Sequence, residues 1–127
     1  MAESKQHWES QARYDLDTAR AMLASGRYLY VLFCSQQCLE KTLKAIIVQR
    51  TGEFPPRIHN LPRLAKSADI SLDYDVEEFL GDLSNYYIQT RYPEEMESLG
   101  SDITKEVAEG ILSRTEEVAQ WLFSTLK

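Results

Sequence analysis

A chain of 127 residues with 43% apolar and 27% charged side chains has the size and balance of one globular domain, large enough to enclose a core without disulfide or metal staples. Its net charge of -6 excludes a broad basic surface for nucleic acid, so DNA is not an expected partner and any phosphate contact must be local. No apolar run approaches the about 18 residues of a membrane span, and the start MAESKQHWES lacks a signal peptide's apolar region, so a cytoplasmic protein away from membranes is expected.

Only five Gly and four Pro interrupt runs rich in Ala, Leu, Glu, Gln, Lys and Arg, which favour helix over strand. The expectation is an all-α fold, an up-and-down bundle of four to five helices, with residues 1–127 as a single domain. A first helix from near Lys5 to Ala24 carries Trp8, Ala12, Leu16, Ala19, Met22 and Leu23 at three and four spacing and stops at Ser25-Gly26. The second, from Arg27 to about Arg50, is apolar around most of its circumference, which suits the centre of a bundle. Thr51-Gly52 ends it, and Glu53-Phe54-Pro55-Pro56 follows as an extended connection, because each proline disfavours helix in the residue before it.

A short third helix is expected to begin at Asn60 as cap, with Pro62 tolerated in its first turn. A fourth, from Asp75 to about Arg91, places Val76, Phe79, Leu80, Leu83, Tyr86 and Tyr87 on one face, and Pro93 stops it. The last runs from Thr104 to near Leu126, with Asp102 or Thr104 as cap.

Chemistry-bearing residues are few. Gln37, Glu40, Lys41 and Lys44 form a narrow polar stripe on the otherwise apolar second helix, either a solvated strip between neighbouring helices or a charged groove. Asp15 falls on the apolar face of the first helix, where an unpaired carboxylate is costly, so it is expected to pair with Lys41 or Lys44 as a structural ion pair. Arg91 ends the fourth helix beside Tyr87. It reads either as a last-turn arginine satisfying helix carbonyls or as a guanidinium ready to fork onto a phosphate or carboxylate. His59, after the Pro-Pro loop, reads first as a cap or loop residue and second as an acid or base; His7 has less claim. Cys34 and Cys38 share one helical face as small buried groups. Neither histidine stands at ligand spacing from them, so no metal site and no cofactor are expected.

Several motifs in order resemble the HEPN domain family: Ala12-x-x-Asp15-Leu16-x-x-Ala19, Gly26-Arg27-Tyr28, Gln36-Gln37-Cys38-Leu39-Glu40-Lys41-Thr42-Leu43-Lys44-Ala45, His59-x-Leu61-x-x-Leu64 and Tyr87-x-x-x-Arg91-Tyr92-Pro93. The resemblance implies a helical bundle, often a homodimer, commonly encoded beside a minimal nucleotidyltransferase in a toxin-antitoxin-like pair and engaging a nucleotide or RNA. Many members are metal-independent RNases whose motif is an Arg, four to six residues, then a His. Arg91 fits the arginine, yet Tyr92 to Leu99 hold no histidine. The leading expectation is therefore a binding and interaction subunit whose ligand-binding residues are Arg91, Tyr87, His59, Lys41 and Lys44. The alternative is an endoribonuclease with His59 and Arg91 catalytic at a dimer cleft. A homodimer is also expected from aromatic excess, since Phe79, Tyr86, Tyr87, Tyr92 and Trp121 are more than a small interior readily absorbs.

Overall fold

The 3.6-residue apolar periodicity resolves into six helices and no strand among residues 4–127, which are those the computed structural model describes. Met1 to Glu3, part of the start read as lacking a signal peptide, lie outside the described residues. The helices are α1 (Lys5–Ala24), α2 (Tyr28–Thr51), α3 (Leu61–Ser67), α4 (Tyr74–Gln89), α5 (Pro93–Asp102) and α6 (Lys105–Phe123). No helix among the described residues is long and apolar enough to cross a membrane.

Local chemistry sets the boundaries. Ser4 caps α1 by accepting from the His7 amide, Asn60 caps α3 by accepting from the Arg63 amide, and Thr104 caps α6 by accepting from the Val107 amide. Of the two caps expected for the last helix, Thr104 is used, while Asp102 closes the helix before it. Gly52 ends α2 at φ 71°, a left-handed conformation that costs glycine little. The sequence reading missed α5. Pro93 does stop α4, but it also opens α5 from the first turn, where its missing amide would be unpaired anyway, with Glu94 and Glu95 favouring the positive end of the helix dipole.

α2 touches each of the other five helices. Its residues Val31, Leu32, Leu39, Leu43 and Ile46 are almost wholly buried, against Ala12, Leu16 and Ala19 of α1 and Ala108, Ala119 and Leu122 of α6. The all-round apolar character of α2 thus follows from its central place, because no residue from Val31 to Gln49 is fully exposed. The aromatic excess divides. Tyr87 is buried and Phe79 and Tyr86 pack against the core, whereas Tyr92 and Trp121 stay exposed with Tyr14, Tyr30, Phe54 and Tyr74.

Candidate functional site

The polar stripe read on α2 divides: Gln37 and Lys41 are partly exposed, whereas Glu40 and Lys44 are buried and align instead with Gln36. Side chains at Gln36, Glu40 and Lys44 recur every four residues and so line one face of the helix, and all three are buried. Lys44 Nζ donates to Glu40 Oε2 at 2.9 Å, with side-chain exposures of 8% and 7%, and also lies 5.6 Å from the centre of the Trp8 ring. Buried charges of this kind persist only when paired, which explains why Lys44 reaches for Glu40 rather than for solvent.

Glu40 holds a second partner. Nδ1 of His59, from the loop ahead of α3, lies 3.1 Å from Oε1 and 3.0 Å from Oε2 of Glu40. A carboxylate can only accept, so Nδ1 carries the proton and donates, and Nε2 is left as the nitrogen that can meet a ligand. The imidazole itself is about half exposed, at 48%. Its backbone is fastened from below: Gln36 Nε2 donates to the His59 carbonyl at 2.7 Å, Ser84 Oγ donates to Gln36 Oε1 at 3.3 Å, and the Leu61 amide donates to Ser84 Oγ at 3.0 Å. Gln36 and Ser84 are buried, so this relay ties α2, the His59 loop and α4 together where water does not compete.

Tyr87 of α4 joins His59 to Arg91. The imidazole lies 5.6 Å from the Tyr87 ring centre at a 46° tilt, Phe33 of α2 stacks on the same ring at 5.5 Å, and the Arg91 guanidinium carbon sits 5.0 Å from its centre. Arg91 Nη2 donates to the Tyr87 hydroxyl at 3.1 Å. That hydrogen bond, with the electrostatics of Tyr87 and of Glu40 behind it, raises the Arg91 pKa above its usual value against a small opposing effect of burial. Arg91 lies beyond the end of α4 and makes no hydrogen bond to that helix's carbonyls with its side chain; it is an exposed, permanent cation held on an aromatic ring.

Of the residues singled out from sequence, Arg91, Tyr87 and His59 thus converge, and Lys44 joins them through Glu40. Lys41 does not. It turns toward α1, where its Nζ lies 2.8 Å from Asp15 Oδ2, and both side chains are mostly covered. Beside that pair burial raises the Cys34 pKa, and burial pushes Cys38 up to about 12, so both thiols are protonated near neutrality and poor nucleophiles or ligands. His7 lies in the first turn of α1, its Nε2 2.8 Å from Gln11 Nε2. Gln36, Ser84 and the role of Glu40 were missed from sequence. The four-residue recurrence of Gln36, Glu40 and Lys44 in an apolar helix was the available signal. Among the described residues no group of three or more His, Cys, Asp or Glu gathers to hold a metal ion.

A groove of about 280 Å³ between α4 and α6, lined by Val76, Arg114, Val118 and Trp121 among others, shares no residue with this cluster. The cluster is the candidate site because it combines an exposed cation, an anchored histidine and buried support.

The profile of the HEPN domain matches residues 6–125 of the chain. Two solved structures resemble it closely. TT1696 from Thermus thermophilus is 27% identical with a TM-score of 0.81, the match covering 96% of this chain and 98% of that one. ST0689, described as an archaeal HEPN homologue, is 26% identical with a TM-score of 0.76, covering 98% of this chain and 99% of that one. No match is found among curated proteins.

Proposed function

Given that the chain belongs to the HEPN domain family, we propose that it is a helical binding subunit that holds a phosphate of a nucleotide or RNA between Arg91 and His59. One observation carries this reading: a permanent cation and an imidazole with Nδ1 already engaged both rest on the ring of Tyr87. A guanidinium offers paired charge-assisted hydrogen bonds to phosphate oxygens, and His59 Nε2 can add a third contact. Glu40, Lys44 and the Gln36–Ser84 relay supply rigidity, so little ordering is required on binding. The subunit acts as a homodimer beside a minimal nucleotidyltransferase; exposed Ile88 and Tyr92, flanking Arg91 in sequence, support an interface near the site.

A second reading, metal-independent endoribonuclease, is favoured by the contact of His59 Nδ1 with Glu40, since a carboxylate behind an imidazole is how a general base is oriented. Attack of a ribose 2'-hydroxyl on the adjacent phosphate would give its proton to His59 Nε2 while Arg91 steadies the charge on phosphorus. The leaving 5'-oxygen still needs an acid, and no second histidine follows Arg91 within reach of the usual motif. General acid-base steps contribute roughly 10²- to 10⁴-fold each, so this site binds better than it cleaves.

The test is titration calorimetry with adenosine monophosphate, in parallel with total RNA incubated in chelator. Expected are weak binding that Arg91→Ala weakens further and no efficient cleavage. Robust cleavage abolished by both Arg91→Ala and His59→Ala would replace the binding reading with the nuclease one. Sedimentation equilibrium at micromolar protein showing only a 14.7 kDa species would refute the homodimer.

A further inference from the structure

Next to Arg91 a shallow groove of about 210 Å³ opens between the first turns of α2 and the junction of α4 with α5, lined by Leu29, Tyr30, Phe33, Thr90 and Met96. We propose that this groove is a nucleobase subsite, so that the ligand is recognised by its base as well as by its phosphate; the proposal rests on the phosphate reading of Arg91.

Three observations carry it. The first is continuity, because Phe33 walls the groove and stacks on Tyr87, the ring that bears Arg91, while Thr90 immediately precedes Arg91. A phosphate on the guanidinium therefore leaves its sugar and base close to the same aromatic pair. The second is the chemistry of the lining. Two aromatic rings, a leucine and a polarisable thioether form an apolar lining that suits the π-face of a base.

The third is the state of the polar groups. The Thr90 hydroxyl already donates to the Tyr87 carbonyl at 2.6 Å, which leaves the hydroxyl of half-exposed Tyr30 as the one side-chain hydroxyl of the lining without a partner among the described residues. With so few hydrogen-bonding groups the groove grips a base by stacking and does not read its edge. The consequence is a preference for purines over pyrimidines, from their larger stacking face, with little distinction between adenine and guanine.

The probes are adenosine monophosphate, ribose 5-phosphate and adenosine, titrated against the intact protein. Stacking on this lining predicts adenosine monophosphate binding about tenfold tighter than ribose 5-phosphate. In Tyr30→Ala and in Met96→Ala, whose folding is checked by circular dichroism, that ratio falls toward one while ribose 5-phosphate affinity holds. Arg91→Ala weakens both phosphate ligands and leaves adenosine unchanged. Equal affinities for adenosine monophosphate and ribose 5-phosphate in the wild type, or a ratio that survives both groove variants, would overturn the subsite. Adenosine binding that depends on Tyr30 while Arg91→Ala changes nothing would instead sink the phosphate reading and leave the groove standing. A dimer that Tyr30→Ala dissociates without altering the ligand ratio would assign the groove to a second copy of the chain and remove the base from it.

Discussion

Replacing Glu40 by Leu removes the group on which both the core and the site depend. Its carboxylate is 7% exposed and Lys44, its partner at 2.9 Å, is 8% exposed, so the ammonium left behind can be reached by little water. Breaking a buried pair from one side costs about 3–5 kcal/mol, because the penalty is that of an uncompensated charge rather than of one lost contact. With an unfolding entropy of about 2.1 cal/mol/K per residue, a domain of this length loses about 11–19 °C of melting temperature. Lys44→Met costs less, since His59 remains against Glu40 when Lys44 is gone. The double variant Glu40→Leu/Lys44→Met replaces the pair with apolar groups and should melt within about 1–2 kcal/mol of wild type. Its nucleotide binding should nevertheless stay impaired, because His59 has lost the carboxylate that orients it. Thermal melts followed by circular dichroism, with calorimetric titration of adenosine monophosphate, check both halves. A double variant as unstable as the sum of the two single losses would show that the charges are not coupled, and the account of the stripe would fail.

Asp15→Ala should destabilise by about 1–3 kcal/mol, between the values for exposed and fully buried pairs, since its partner Lys41 is 22% exposed and Asp15 17%; an unchanged denaturation midpoint would show that solvent, not Lys41, holds the carboxylate. Alkaline stability should depend on Cys38, whose thiol burial pushes up to about 12 from a usual value of 9.0. The unfolded chain releases this proton first, so the stability it contributes is intact below about pH 9 and falls by about 1.4 kcal/mol per pH unit as the pH rises toward 12. Denaturant titrations of wild type and Cys38→Ala across that range should differ in slope, and parallel curves would show that the thiol ionises as readily in the fold as in the unfolded chain.

The stretches that form helices are legible because their information is local. Apolar residues at three and four spacing mark α1, α4 and α6, glycine marks the ends of α1 and α2, and the circumference of α2 announces its central position before any contact is known. Arg91 stands out for the same reason, as a cation at the end of an aromatic-bearing helix. Pro93 shows where local information divides, since one proline serves equally well as the stop of one helix and the first residue of the next. A carboxylate on an apolar face requires a cation, and this much follows from Asp15 alone.

Which cation answers it is decided by the packing of α1 on α2, which brings Lys41 to Asp15 and leaves Lys44 to Glu40. The joining of His59 to Arg91 belongs wholly to the tertiary structure, since the two lie in separate segments and are linked only through the ring of Tyr87, which each contacts. Gln36 and Ser84, 48 positions apart, likewise become a relay only when α2 and α4 are packed together. Helical periodicity constrains which residues share a face. The partner of that face is set by how the whole core closes, because burial is non-directional and only the complete packing selects which polar groups are trapped side by side.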